Sequence, residues 1–280
     1  MEVWNKAIPR ARDGRQSAAL TWVVGLLLAL AAAAPPIAAL KLGLPLWSLS
    51  GPLLLSSLFA ALVWGLRAAT PGGTAMGWAV CFLLAQSSEV WTRFSSLPVL
   101  RPAFPALIVL FVLTSAATRF GRARKEARGV AEARSGRKAS QIAANLGVAA
   151  LFAAAGRYEG CIAALAEATA DTVSSEIGQA VGGRALLITT LKPVPAGTDG
   201  GVSMWGTVAG VVAAGAIVAI GAMHHALWPN KAAVMGAACA GLLFDSLLGA
   251  TVERRGWMGN DLVNFASTLF AALLAQALTR

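Results

Sequence analysis

Residues 206–223 read GTVAGVVAAGAIVAIGAM, eighteen consecutive positions without a charged side chain or a proline. A helix rises about 1.5 Å per residue, so roughly 20 apolar residues cross the hydrocarbon of a bilayer, and fewer suffice where the ends snorkel. Lipid offers the backbone no hydrogen-bond partners, so such a run satisfies its N–H and C=O groups internally, as a helix. Comparable runs recur at 18–34, 51–69, 74–92, 103–118, 140–156, 160–178, 232–250 and 261–278. Polar residues interrupt those at 74–92 and 160–178. The expected fold is all-α: a polytopic transmembrane helical bundle of about nine spans, forming one integral-membrane domain over residues 1–280.

Composition points the same way. Only 13% of the 280 residues are charged and 57% are hydrophobic, whereas a soluble chain carries about 25% charged residues. The 29 glycines suit helices packed closely in lipid. Lys6, Arg10, Arg12 and Arg15 precede the first run, whose alanine-rich end resembles a signal peptide. The Pro35-Pro36 pair and the later runs favour an uncleaved first helix.

The net charge is +10. Its basic residues lie between apolar runs and build no basic face interleaved with aromatics, which excludes nucleic acid as the partner. With the N-terminus inside, residues 1–17, Arg67, 119–138, 179–205 and 251–260 share the cytoplasmic side. These segments hold 17 of the 23 Lys and Arg. Lys41, Arg93, Arg101, Arg157, Lys231 and Arg280 fall on the other. The positive-inside rule then sets the N-terminus in the cytoplasm and the C-terminus outside. The expected location is the inner (cytoplasmic) membrane, with multiple passes.

Ionisable residues inside apolar runs mark function or a paired contact. Glu167, Asp171 and Ser174 share a helical face at i, i+4 and i+7, and Glu176 follows. Asp245 is flanked at four residues by Gly241 and Gly249. Asp261 and Asn264 open the last run, just after Asn260, while Arg137, Gln141 and Asn145 recur at four-residue spacing beside Lys138. Between the sixth and seventh runs, ITTLKPVPAGTDGGVSMWG excludes regular helix and brings Lys192, Thr198, Asp199, Gly200, Gly201 and Ser203 together. A glycine-rich turn can aim backbone N–H groups at phosphate. All these groups fall on the expected cytoplasmic side. Carboxylates, amides, cations and such a loop suit a magnesium-nucleotide site.

Cys81, Cys161 and Cys239 sit in apolar runs without metal-ligand spacing and read as structural thiols. His224 and His225 read as interfacial. So do Trp4, Trp47, Trp91, Trp205, Trp228 and Trp257.

Five blocks resemble the integral-membrane family containing plant phytyl-phosphate kinase and animal transmembrane protein 19. They are SGRKASQIAAN (135–145), ALAEATADTVSSEIG (164–178), KPVPAGTDGGVSMWG (192–206), GLLFDSLLGATVE (241–253) and GNDLVNFAS (259–267). The blocks place a family-like core at 116–270, after variable N-terminal spans at 1–115. The resemblance implies a membrane lipid kinase using CTP or another nucleoside triphosphate, which converts an isoprenoid monophosphate to the diphosphate. It also implies that Asp171, Glu176, Asp199, Asp245 and Asp261 are the important acids. Asp171, Asp245 and Glu176 are then the expected magnesium ligands, with Asp199 or Asp261 able to complete the shell. Arg137, Lys138 and Lys192 are the expected phosphate-binding cations, and Gly200 and Gly201 the N–H donors. The chain departs from the family at Leu146, where glycine is common, and at Glu253, where glutamine is. A nucleotidyltransferase making a CDP-lipid, and a transporter relaying cations through the acids, remain alternatives. Monomer and homodimer are both open.

Overall fold

The apolar runs fold as helices in a computed structural model that describes residues 8–41, 43, 49–86, 103–131, 135–182, 184–223 and 227–280. In chain order these are α1 (Arg10–Lys41), α2 (Ser50–Gly65), α3 (Pro71–Ala85), α4 (Ala103–Arg119), a short α5 (Arg122–Ala127), α6 (Ala139–Ala154), α7 (Tyr158–Val181), α8 (Met204–Gly221), α9 (Lys231–Leu248) and α10 (Asn260–Leu278). A π-helical turn, Gly249–Glu253, extends α9. Each expected run overlaps one long helix. The stretch expected to complete the third, 87–92, lies outside the described residues, as do His224, His225, Trp4, Trp47 and Trp91. Among the described residues, four helices are long and apolar enough to cross a membrane: α1, α8, α9 with its π turn, and α10. α2, α3, α4 and α6 are apolar but shorter.

α7 is the axis of the bundle. Its residues from Gly160 to Ala170 are all buried, surrounded by α4, α6, α8, α9 and α10. Alanines at 163, 164, 166, 168 and 170 keep this helix thin enough for neighbours on every side. α8 comes closest. A Cβ added to Gly210 would lie 2.7 Å from the Ala170 carbonyl oxygen, and one added to Gly206 would lie 2.5 Å from that of Ser174. Only glycine allows that approach. The apolar side chains that find no partner point outward, including Trp22, Leu26 and Leu30 of α1 and Leu54, Leu58 and Leu62 of α2. An apolar exterior of this extent suits lipid, not water.

The expectation of a purely helical fold is corrected between α7 and α8. There the chain forms a three-stranded antiparallel sheet of β1 (Ala185–Leu187), β2 (Pro193–Val194) and β3 (Gly201–Val202), ordered β2-β1-β3. Ala185 pairs with Val194, and Leu186 with both Pro193 and Val202. Pro193 fits because β2 is an edge strand, where a missing N–H breaks no ladder bond.

The segments expected on one side of the membrane do meet at one end. Arg12 Nη1 donates to the Gly256 carbonyl (3.3 Å), Gln16 Nε2 to that of Trp257 (2.9 Å) and Ser17 Oγ to Asp261 Oδ2 (2.6 Å), joining the start of α1 to the loop before α10 and to the first turn of α10. The turn after α2 meets the segment before α6: Arg137 N donates to Ala68 O (2.9 Å), and Thr70 N to Arg137 O (3.0 Å). At the other end, Tyr158 Oη donates to the Gly221 carbonyl (3.2 Å).

Candidate active site

The helix ends and the small sheet enclose a polar cavity of about 310 Å³ at the shared end. The start of α6 supplies Arg137, Gln141 and Asn145. The second half of α7 adds Asp171, Ser174 and Glu176. The sheet loop gives Thr198, Asp199, Gly200, Gly201 and Ser203, while α9 with its π turn gives Asp245, Ser246 and Glu253. Asn260 and Asn264 of α10 close the ring. Five sequence blocks far apart in the chain thus meet at one place.

Local structure explains several of these positions. Gln141 Oε1 accepts from the Lys138 N–H (2.8 Å), which satisfies one free backbone donor at the start of α6. Asn145 then donates to the Gln141 carbonyl (2.9 Å), and Asn264 Nδ2 reaches Asn145 Oδ1 at 3.4 Å, linking α6 to α10. Asp245 Oδ2 accepts from Ser267 Oγ at 3.0 Å, which fixes the carboxylate against α10. Arg137 interacts electrostatically with Asp171, and Asp171 with Asp245. Glu167 is 1% exposed and lies behind this group, also within electrostatic range of Asp171 and Asp245. It does not border the cavity.

The sheet loop is pressed onto the π turn. Gly200 takes φ +71°, and an added Cβ would collide with the backbone and side chain of Ala250. That contact brings Asp199 within electrostatic range of Glu253 and Arg254. Partial burial pushes the Asp199 carboxyl above its ordinary value, against the opposing effect of the Arg254 guanidinium.

Residues 54–272 match the family described as integral membrane protein DUF92. This chain belongs to the DUF92 family. Its relatives include "Protein VTE6, chloroplastic" of Arabidopsis thaliana, 33% identical over 222 residues, which cover 73% of this chain and 64% of that protein. The chain therefore spans a little under two thirds of the plant relative's length. An uncharacterized membrane protein of Synechocystis is 34% identical over 60% of this chain and 71% of its own length. One from Methanocaldococcus jannaschii is 34% identical over 60% and 72%. No solved structure matches the chain.

Three residues expected in the site lie outside the cavity of this DUF92 protein. Lys138 is exposed at the N-cap of α6, and Lys192 is exposed in the turn between β1 and β2. Asp261 points to α1, where it accepts from Ser17. Two further groups expected in the site already have partners. The Gly201 N–H donates to the Thr198 carbonyl at 2.8 Å, so that donor is spent within its own turn. Glu176 borders the cavity, but its carboxylate accepts from the Lys125 ammonium. Lys125 itself was read only as one charge of a basic loop.

Glu253, Ser246, Thr207 and Gln179 border the cavity without having been singled out for it. Glu253 was legible: Asp245, Gly249 and Glu253 recur at four-residue spacing, and the π turn keeps the second carboxylate at the same mouth. The hydroxyls and the amide carried no comparable signal.

Proposed function

We propose that this DUF92 protein is a magnesium-dependent phosphotransferase that moves the γ-phosphoryl group of CTP, or of another nucleoside triphosphate, to an isoprenoid monophosphate such as phytyl phosphate. The observation that carries the reading is the meeting of Asp171, Asp245, Asp199 and Glu253 with Arg137 at one polar cavity. The five-block resemblance to the phytyl-phosphate kinase family supplies the substrate class.

Among the described residues, no group of three or more His, Cys, Asp or Glu side chains is gathered tightly enough to hold a metal ion alone. Magnesium takes one or two carboxylates and fills its octahedron with substrate phosphates and waters, a need that the neighbouring Asp171 and Asp245 can meet. Asp171 and Asp245 would hold the ion, with Asp199 or Glu253 beside it. Bound there, magnesium would supply charge neutralisation to the nucleotide phosphates.

The chain's own residues orient and exclude. Arg137 offers a planar cation to phosphate oxygens, and Ser267 keeps Asp245 aimed inward. In the reaction an anionic oxygen of the acceptor phosphate attacks the γ-phosphorus. The bond from that phosphorus to the β-bridging oxygen breaks, and its electron pair leaves with CDP. The lipid diphosphate is the other product. Since the attacking oxygen is already anionic, no general base is required.

The bundle would cross the inner membrane nine times, with the N-terminus and the cavity facing the cytoplasm and the nucleotide supply. Seventeen of the 23 basic residues fall in the sequence segments expected on that side, which supports this orientation. Asp171→Asn and Asp245→Asn test the site. Each should lower lipid-dependent nucleotide turnover by about 100-fold or more while eluting as folded protein. Full turnover in both variants would exclude it.

A further inference from the structure

A second cavity of about 480 Å³ lies between α2, α3, α4 and α6, within the range of about 300–1,000 Å³ usual for ligand sites. Its character differs from the first. Phe59, Val63, Leu107, Leu110, Phe111 and Leu146 make its walls, and arginines gather at one end. Phe59 and Phe111 meet edge to face across it, with ring centroids 5.4 Å apart. The cavity is long-chain apolar surface with a cationic mouth, the shape and charge of an amphiphile with an anionic head.

The mouth is built by the joint between the α2–α3 turn and the segment before α6. Arg137 N bonds Ala68 O, and Thr70 N bonds Arg137 O, which sets Arg67 and Arg137 on neighbouring strands of backbone. Arg67 holds φ +52°, a left-handed conformation that favours glycine. An arginine at such a position points to a use for its side chain. Arg119 ends α4 on the same rim and, like Arg67, is exposed. Arg137 borders this cavity and the acidic one alike.

We propose that this cavity is the acceptor-lipid site. The isoprenyl tail lies among the apolar walls, Arg67 and Arg119 receive the phosphate at the mouth, and Arg137 positions it against the acidic cavity. The assignment rests on the kinase reading for the identity of the lipid. Binding itself is independent of turnover, so the two can be tested apart.

The test is equilibrium binding of radiolabelled phytyl monophosphate to the purified full chain in detergent, without nucleotide or magnesium. Two variants probe the two ends. Arg67→Gly removes a rim cation at a backbone position that glycine tolerates. Gly77→Phe fills the cavity from α3, where an added Cβ meets nothing within 4 Å. Each should weaken binding by about tenfold or more, and phytol should bind at least about tenfold more weakly than its phosphate. Unlabelled phytyl monophosphate should displace the probe and inorganic phosphate at equal concentration should not. Wild-type affinity in both variants would overturn the assignment, as would displacement by inorganic phosphate, which would mean an anion site without a tail. If the site is right and the kinase reading wrong, binding follows this pattern with no nucleotide consumed. If the reverse holds, both variants turn over with an unchanged KM for the lipid.

Discussion

The Lys125 ammonium donates to the Glu176 carboxylate across the junction of α5 and α7, with only 1% and 12% of the two side chains exposed. The same ammonium donates to the carbonyls of Ala117 (3.1 Å) and Thr118 (2.8 Å) at the end of α4. All three of its donors are therefore used, and three helices are tied at one point. A buried pair of this kind adds little against an apolar equivalent, but breaking it strands a charge. Lys125→Met is expected to destabilise the fold by about 3–5 kcal/mol, read as a lower thermal midpoint in detergent. Lys125→Met combined with Glu176→Leu should recover most of that loss. A Lys125→Met protein that melts like the wild type would show that the pair is not structural.

Ser267 is wholly buried and holds Asp245 through a 3.0 Å hydrogen bond. It lines neither cavity, so it acts by positioning. Ser267→Ala should raise the magnesium concentration needed for half-maximal turnover by about 10–100-fold, with the maximal rate recovered at saturating magnesium. Ser267→Thr, which keeps the hydroxyl, should need less. An unchanged magnesium requirement in the alanine variant would remove Ser267 from the site.

Asp199 gives a pH signature. Its carboxyl is raised above the ordinary aspartate range by partial burial, so the folded protein binds its proton more tightly than the unfolded chain does. Its contribution to stability is fully present below the ordinary aspartate pKa, about 3.9, and is lost as pH climbs through the raised value. Asp199→Asn should therefore melt above the wild type near neutral pH, with the gap closing towards pH 4. A gap that widens on acidification would contradict the assigned sign. Saturating magnesium and nucleotide should stabilise only the wild type if Asp199 helps hold them.

Orientation can be read by labelling. In a chain whose three cysteines are replaced by alanine, Thr190→Cys sits in the exposed turn after β1, at the cavity end. Arg157→Cys sits exposed at the opposite end, just before α7. A membrane-impermeant maleimide on intact cells should label position 157 and leave 190 until the membrane is opened. The reverse pattern would invert the protein.

Much of this arrangement was legible because lipid imposes simple rules. The lengths of the runs marked the long helices, and the basic segments marked which ends belong together. Gln141, Asn145, Asp171, Asp245 and Asn264 stood out because polar groups inside apolar runs are costly, and one cavity gathers them with Arg137. The sheet escaped notice. Its strands are two or three residues long, too short to show an alternating pattern, and its prolines and glycines read only as the absence of helix. Lys125 escaped for a different reason. Nothing in GRARKEARG separates the buried cation from the solvated ones, because its partner lies 51 residues away. Lys192 and Lys138 were misplaced by the converse assumption, that a cation beside a motif points into it.

The products of turnover identify the reaction. Purified protein in detergent would receive magnesium, CTP labelled in both the cytosine and the γ-phosphate, and phytyl monophosphate. The expected products are phytyl diphosphate carrying the γ-label, and CDP in equal amount. Pyrophosphate with a cytosine-labelled lipid, or no consumption of CTP or any other nucleoside triphosphate with any isoprenyl phosphate, would contradict it.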